Sequence, residues 1–132
     1  MEYITIKRFK RKGIDGRFNI PYGTELEARD GVIIAPDGRQ VCLSRSYAAH
    51  EYFARNDDGN GLERGKLSHE IVEKLLPKPG ETREQHNERW LKVWHNETAQ
   101  KYRRKEHQSH WLWSDDFYNA DIEDLKGLVE NV

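Results

Sequence analysis

The sequence has little of the residue types that cross-link a chain or anchor it in a membrane. A single cysteine, Cys42, among 132 residues excludes an internal disulfide and any zinc site built on cysteine ligands. No apolar run approaches the ~18 residues of a membrane-spanning helix, and the N-terminus has no apolar run of signal-peptide length. We therefore expect a cytoplasmic protein.

Aliphatic residues are also scarce, yet the charge balance argues against disorder. Hydrophobic types make up 36% of the chain, while 22 basic and 23 acidic residues leave a net charge of −1. Disordered chains of this polarity normally carry a large net charge. The sequence therefore predicts one folded domain over residues 1–132. We expect its thin core to be completed by aromatic packing, by a ligand or by a second copy of the chain.

The pattern of apolar residues changes near residue 44. Before it, two-residue alternation and Gly, Pro and Asp turns predict five short strands, at 3–9, 17–20, 24–28, 32–35 and 40–43. After it, helical spacing predicts four helices. The first is capped by Ser44 or Ser46 and runs through about Arg55, and the second covers about 68–76. The third, the longest, follows Thr82 and runs through Tyr102, and the last follows Asn119. We expect an α+β fold with a small antiparallel sheet or partly open barrel (1–43) followed by helices (44–132).

Two patterns resemble metal sites but lack an essential ligand. Residues 56–61 match the start of an EF-hand calcium loop, yet Leu67 stands where a bidentate carboxylate is required. His107 and His110 are at helical spacing but have neither cysteine partners nor a His-Glu-x-x-His string. We therefore expect a helix-terminating loop and surface or packing histidines, with no metal and no cofactor.

Signatures of nucleophilic catalysis are absent from the sequence. It has no Gly-x-Ser-x-Gly elbow and no P-loop string. Cys42 lies in a predicted strand, where we expect an inert core thiol. The acidic pairs at 57–58 and 115–116 are adjacent residues, whose side chains point in different directions. We expect a protein that is not an enzyme.

Basic residues are interleaved with aromatic residues in two places. Residues 7–12 carry five positive charges around Phe9, and residues 101–105 carry four just before Trp111. Guanidinium groups bind phosphate oxygens, and aromatic rings stack on nucleobases. For the first run we favour a solvated strand edge that resists pairing. The second run is equally consistent with phosphate binding and with a solvated charge run.

Four segments carry a resemblance to a known family: RFNIPYGT (17–24), NDDGNGLERGKL (56–67), RWLKVW (89–94) and HWLWSDDF (110–117). With them the whole chain resembles small bacteriophage and prophage proteins, in particular the first type of Thoeris anti-defence protein. Members have a β-rich part followed by helices, form dimers and higher oligomers, and sequester cyclic ADP-ribose variants made by bacterial TIR-domain enzymes. Some also take up cyclic oligonucleotides. The resemblance implies a non-enzymatic sponge for a cyclic nucleotide immune signal in the host cell cytoplasm.

Candidate ligand contacts follow from residue chemistry. Polar or phosphate contacts are predicted at Arg17, Asn19, Arg64, Arg103 and Arg104, and Trp113 and Phe117 are predicted to wall the base. Asn19 precedes a turn at a sheet end, and residues 113–119 are predicted to be non-helical. We expect these residues to border a groove where strands meet helices.

An alternative function is direct inhibition or accessory binding. The acidic C-terminal end would mask a host protein, or the basic N-terminal strand would bind nucleic acid. The net charge of −1 disfavours the nucleic-acid version.

Apolar stripes on the C-terminal helices predict self-association. One stripe contains Trp90, Leu91, Trp94 and Tyr102, and the other contains Ile122, Leu125 and Leu128. Together they present more apolar surface than a small sheet covers. We expect a homodimer or a larger even-numbered homo-oligomer built through these helices.

Overall fold

The computed structural model describes residues 2–104 and 113–132, and it confirms the α+β class. The strands are β1 Glu2–Thr5, β2 Phe9–Gly13, β3 Gly16–Ile20, β4 Glu25–Arg29, β5 Val32–Ile34, β6 Gln40–Leu43 and β7 Phe53–Arg55. The helices are α1 Tyr47–Tyr52, α2 Gly61–Lys74, α3 Arg83–Trp94, α4 Glu97–Tyr102, α5 Asp115–Tyr118 and α6 Ile122–Glu130. The chain forms two compact units, Met1–Lys66 and Leu67–Val132.

A curled antiparallel sheet of five strands, in the order β6-β5-β4-β1-β7, organises the first unit. Its interior strand β1 pairs with β4 and with β7, so that Tyr3 lies opposite both Leu26 and Arg55. The connection between β4 and β5 is a two-residue turn, which lies in the break that the sequence predicts between residues 28 and 32. Asp30 and Gly31 both have positive φ, 51° and 77°, as a type I′ hairpin turn requires.

Strands β2 and β3 form a separate two-stranded ribbon. Its apolar side belongs to the same buried cluster as the sheet, so the ribbon packs on the sheet through aromatic and aliphatic side chains. The turn of the ribbon is fixed to β6, because the amide of Ile14 donates to the Val41 carbonyl at 2.8 Å and that of Asp15 to the Gln40 carbonyl at 3.0 Å. The main buried residues of this core are Tyr3, Phe9, Phe18, Ile20, Leu26, Ile33, Val41 and Phe53.

One predicted strand and one predicted helix differ from the structure. The strand predicted over 3–9 is divided into β1 and β2, because the Ile6 amide donates to the Tyr52 carbonyl at 2.8 Å and the chain then leaves the sheet. The helix predicted to reach residue 55 ends at Tyr52, although Ser46 caps it as expected. Residues 53–55 instead form β7, since pairing with β1 buries Phe53.

Helix α2 begins at Gly61, well before the predicted start near Ser68. A Cβ atom on Gly61 would lie 2.5 Å from Ile4 Cγ2, and one on Gly65 would lie 2.7 Å from Ile6 Cγ2. The two glycines therefore allow α2 to approach β1 closely. The sequence analysis did not predict a helix over this segment, because glycine is unfavourable in the interior of a helix.

The second unit is helical, and its first cap was predicted correctly. Thr82 and Gln85 form the reciprocal capping box at the start of α3. The predicted long helix is interrupted, because the Asn96 side chain accepts from the Thr98 and Ala99 amides and starts α4. Residues 115–118 form α5 rather than a non-helical stretch, and Asp121, not Asn119, occupies the N-cap position of α6.

The apolar stripes proposed for self-association are largely covered within this unit. Leu125 and Leu128 are fully buried and Trp90 is 8% exposed, while Leu91 is 44% exposed. The prediction that these stripes leave a surplus of exposed apolar surface is therefore wrong, because the helices pack on each other. Self-association itself stays a prediction. None of the helices formed by residues 2–104 and 113–132 is long and apolar enough to cross a membrane.

Candidate anion-binding face

The outer side of the β2–β3 ribbon carries a row of cations. Lys10 lies opposite Asn19 and Lys12 opposite Arg17, so these four side chains share the exposed side, while Phe9 and Ile20 share the buried side. Arg8, one residue before β2, joins them by donating to Asn19 Oδ1 at 3.0 Å. We define the basic face as Arg8, Lys10, Lys12, Arg17 and Asn19.

Three cations of the basic face have no neutralising partner among the described residues. Lys10, Lys12 and Arg17 form no ion pair and no side-chain hydrogen bond with any residue in the ranges 2–104 and 113–132. Directly opposite residues of an antiparallel pair have Cβ atoms roughly 4.5–5.5 Å apart, at which like charges are destabilising. The Lys12–Arg17 pair therefore costs stability and invites an external anion.

The buried side of the ribbon holds the basic face in place. Phe9 packs against Phe18 with ring centroids 6.1 Å apart and against Phe53 at 5.4 Å. The Arg39 guanidinium lies 4.2 Å from the Phe18 ring centroid and donates to the Arg17 carbonyl at 3.1 Å. The cations thus stand on a packed scaffold, which reduces the ordering cost when a ligand binds.

Arg64, predicted as a ligand contact, has an internal role. Its side chain is fully buried, and its guanidinium donates to the Arg55 carbonyl at 2.6 Å and to both carboxylate oxygens of Asp58. These hydrogen bonds hold the pKa of the Asp58 carboxyl well below its usual range. Arg64 therefore ties the 56–61 loop to α2 and presents no exposed surface to a ligand.

The same loop explains the calcium-like pattern. The Asn56 side chain accepts from the Gly61 amide at 2.8 Å, and Asp58 accepts from the Asn60 amide at 3.0 Å. The oxygens that an ion would need are thus used by the chain. Within the described ranges, no cluster of three or more His, Cys, Asp or Glu side chains is arranged to hold a metal ion.

Three predicted residues of the helical unit come together, in packing roles. Arg103 and Trp113 form an isolated backbone bridge, and the Trp113 ring stacks on Phe117 with centroids 4.2 Å apart. Phe117 is fully buried, and Arg103 lies over the Trp94 ring at 4.1 Å while donating to its carbonyl at 2.9 Å. Arg104 is half-buried and has contacts of its own. Their part in ligand binding stays a prediction.

Other sequence predictions concern Cys42, which lies away from the basic face, and residues that the structure does not describe. Burial raises the pKa of the Cys42 thiol, which is half-buried in β6. Lys105, His107, His110 and Trp111 lie outside the described residues.

A cavity of about 360 Å³ lies elsewhere in the first unit, and its chemistry is different. Its polar lining consists mainly of Glu2, Glu25, Glu27 and Arg29, beside Ile34 and Pro36. Arg29 and Glu27 form an exposed ion pair at 2.9 Å. Three carboxylates against one guanidinium make this cavity unsuitable for a phosphate group.

The sequence indicated two members of the basic face, Arg17 and Asn19, and missed Arg8, Lys10 and Lys12 as site residues. The run at 7–12 looked like a protected strand edge. A signal was present in the sequence: Phe9 is followed by Lys10 and Lys12 at two-residue spacing, and a turn at Asp15-Gly16 comes next. Such a turn places the lysines opposite Arg17 and Asn19 on the neighbouring strand. Comparisons with protein-family models, curated proteins and solved structures return no match for the chain.

Proposed function

We propose that the protein is a non-enzymatic binder of a phosphate-bearing nucleotide, which it holds through the basic face. The observation that carries the proposal is the Lys12–Arg17 pair, two like charges that lie directly opposite each other and have no partner among residues 2–104 and 113–132. A phosphodiester or pyrophosphate anion between them would convert a repulsion into two charge-assisted contacts. Lys10 and Arg8 supply further cations along the same side.

The resemblance described above narrows this proposal to a biological role. We propose that the nucleotide is a cyclic immune signal, such as a cyclic ADP-ribose variant, and that the protein sequesters it for a bacteriophage in the host cytoplasm. A sponge of this kind needs cationic donors and no nucleophile. Assembly into a homodimer or higher homo-oligomer belongs to the same proposal and is measured by light scattering.

Calorimetric titration tests the proposal. Cyclic ADP-ribose variants and cyclic di- and trinucleotides are titrated into the wild type and into a Lys12→Ala/Arg17→Ala variant. Each lost charge-assisted contact should cost about 1.5–3 kcal/mol, which is roughly tenfold to a hundredfold in affinity. Binding of equal strength in the double variant would exclude the basic face as the site.

A matched control separates the site from overall charge. Lys66 and Lys92 are exposed lysines on α2 and α3, so a Lys66→Ala/Lys92→Ala variant loses the same charge outside the ribbon. Its affinity should stay within about twofold of the wild type. Intact ligand recovered after heat denaturation would support the non-enzymatic part, and cleaved products over several turnovers would contradict it.

Nucleic acid is a second candidate ligand, favoured by the shape of the basic face. Its cations alternate along β2 from residue 8 to residue 12, a length of roughly 14 Å at about 3.4 Å per residue. The major groove of duplex DNA admits a two-stranded ribbon. Duplex and single-stranded DNA are therefore titrated in parallel, and a steep fall of affinity with salt that exceeds that of the cyclic nucleotides would favour this candidate.

A further inference from the structure

The four cations of the basic face offer hydrogen-bond donors only. Lys10 and Lys12 carry ammonium groups and Arg17 a guanidinium group, none of which has an acceptor atom. Asn19 is the one member that has both a carbonyl oxygen and an amide nitrogen. The orientation of the Asn19 amide therefore decides whether the face presents an acceptor at all.

Arg8 fixes that orientation. Its Nη1 donates to Asn19 Oδ1 at 3.0 Å, and both side chains are exposed. This hydrogen bond turns the amide oxygen toward Arg8 and leaves the amide nitrogen to donate. With it in place, Asn19 acts as a further donor beside the four cations.

Two acceptor atoms around the face also have an internal donor. The Arg17 carbonyl accepts from Arg39 at 3.1 Å, and Asp15 Oδ2, at the ribbon turn, accepts from the Gln40 amide at 2.7 Å. Beyond Arg8, the Lys7 ammonium is paired with Glu51 at 3.1 Å. A ligand that needs to donate hydrogen bonds therefore competes with an internal donor at each of these acceptor atoms.

Nucleobases and phosphates differ in this respect. The edges of adenine, guanine and cytosine present amino donors as well as acceptors, whereas an ionised phosphate presents acceptors alone. A face that mainly donates hydrogen bonds suits phosphate oxygens better than base edges. We therefore infer that the basic face recognises its ligand by phosphate oxygens and does not distinguish one base from another; this inference rests on the proposed function. The ligand class is a multiply charged phosphate, with or without a base.

Three probes of different base content test the inference at one salt concentration. Cyclic di-adenylate and cyclic di-guanylate carry the same charge and different bases, and inorganic tripolyphosphate carries no base. We expect the two cyclic dinucleotides to bind within about threefold of each other. Tripolyphosphate should bind and should displace both from the wild type, but not from the Lys12→Ala/Arg17→Ala variant in the same concentration range.

The outcomes separate this inference from the proposed function. A difference of about tenfold or more between the dinucleotides, or nucleotide binding without tripolyphosphate binding, would overturn the inference and leave nucleotide binding standing. Tripolyphosphate binding without binding of any nucleotide would uphold the phosphate-only face and overturn the proposed function. No binding of any probe would overturn both.

Arg8 gives a more specific test as the positioning residue. In an Arg8→Met variant the Asn19 amide loses its partner and can turn its oxygen outward, so a preference between the two dinucleotides should emerge. Arg8→Lys keeps a donor for Asn19 and should restore equal affinities. A ratio that is the same in all three proteins would contradict the role of Arg8, whatever the loss of overall affinity.

Discussion

The guanidinium of Arg64, on α2, is fully buried and donates to a carbonyl and a carboxylate, whereas the Arg17 side chain on the β2–β3 ribbon has no partner among the described residues. Both arginines belong to the first unit and both looked like ligand contacts in the sequence. Arg89 of the second unit resembles Arg64, because it binds Glu81 and two carbonyls at the end of α2. An arginine whose donors are satisfied by internal acceptors supports the fold, whereas an arginine whose donors have no such partners is available to a ligand.

Removal of the buried guanidinium should have the largest effect on stability. In an Arg64→Met variant the Arg55 carbonyl and the Asp58 carboxylate lose their donor, and the buried space is filled imperfectly. We expect the free energy of unfolding to fall by about 3 kcal/mol, measured by urea denaturation. Arg17→Met should change it by less than about 0.5 kcal/mol. Equal losses in the two variants would remove the distinction between the two arginines.

The close approach of α2 to β1, which brings Arg64 to the Arg55 carbonyl, should be the next most sensitive feature. A Gly65→Ala variant places a Cβ atom 2.7 Å from Ile6 Cγ2, so we expect a loss of about 1–3 kcal/mol from overpacking. Gly127→Ala is the matched control, because a Cβ atom there meets nothing within 4 Å on α6. That control should gain up to about 1 kcal/mol from helix propensity. Destabilisation by both substitutions would contradict the packing argument.

Local patterns predicted the elements that depend on local contacts. The Thr82–Gln85 capping box, the Asp30-Gly31 turn and the Ser46 cap all involve residues within a few positions of each other. The errors arose where distant partners decide the outcome. Residues 53–55 become a strand only because β1 lies beside them, and α2 includes Gly61 because that glycine fits against Ile4.

The candidate site divides in the same way. Residue chemistry predicted Arg17 and Asn19 as ligand contacts, but it gave the same weight to Arg64 and Phe117, which the fold buries completely. Whether a side chain has an internal partner is a property of the tertiary structure. Lys10 and Lys12 gain their place in the site from the register of β2 against β3, which no composition or charge count contains.

The ion pair between Arg89 and Glu81 in the helical unit should make the stability of the protein depend on pH. Hydrogen bonds from the Arg89 guanidinium lower the pKa of Glu81 to about 2, from an ordinary value of 4.5. A carboxyl whose pKa is lowered in the folded state contributes stability above 4.5, and that stability is lost as the pH falls towards 2. Urea midpoints of the wild type should therefore fall more steeply over this window than those of Glu81→Gln. Parallel curves for the two proteins would show that the ion pair contributes nothing.

The smallest expected change in stability is at the ribbon, and it is opposite in sign. A Lys12→Glu variant replaces the repulsion with Arg17 by an attraction, and cross-strand charge pairs contribute roughly 0.2–1 kcal/mol. We expect this variant to be slightly more stable than the wild type, by a midpoint shift in urea at low salt that disappears as salt screens the pair. The same substitution places a carboxylate on the basic face and should abolish binding of phosphate ligands. Lys66→Glu introduces the same charge outside the ribbon and should leave binding intact. If Lys12→Glu lowered stability, the Lys12–Arg17 pair would not be a strained pair that a ligand relieves, and the proposed site would lose its main support.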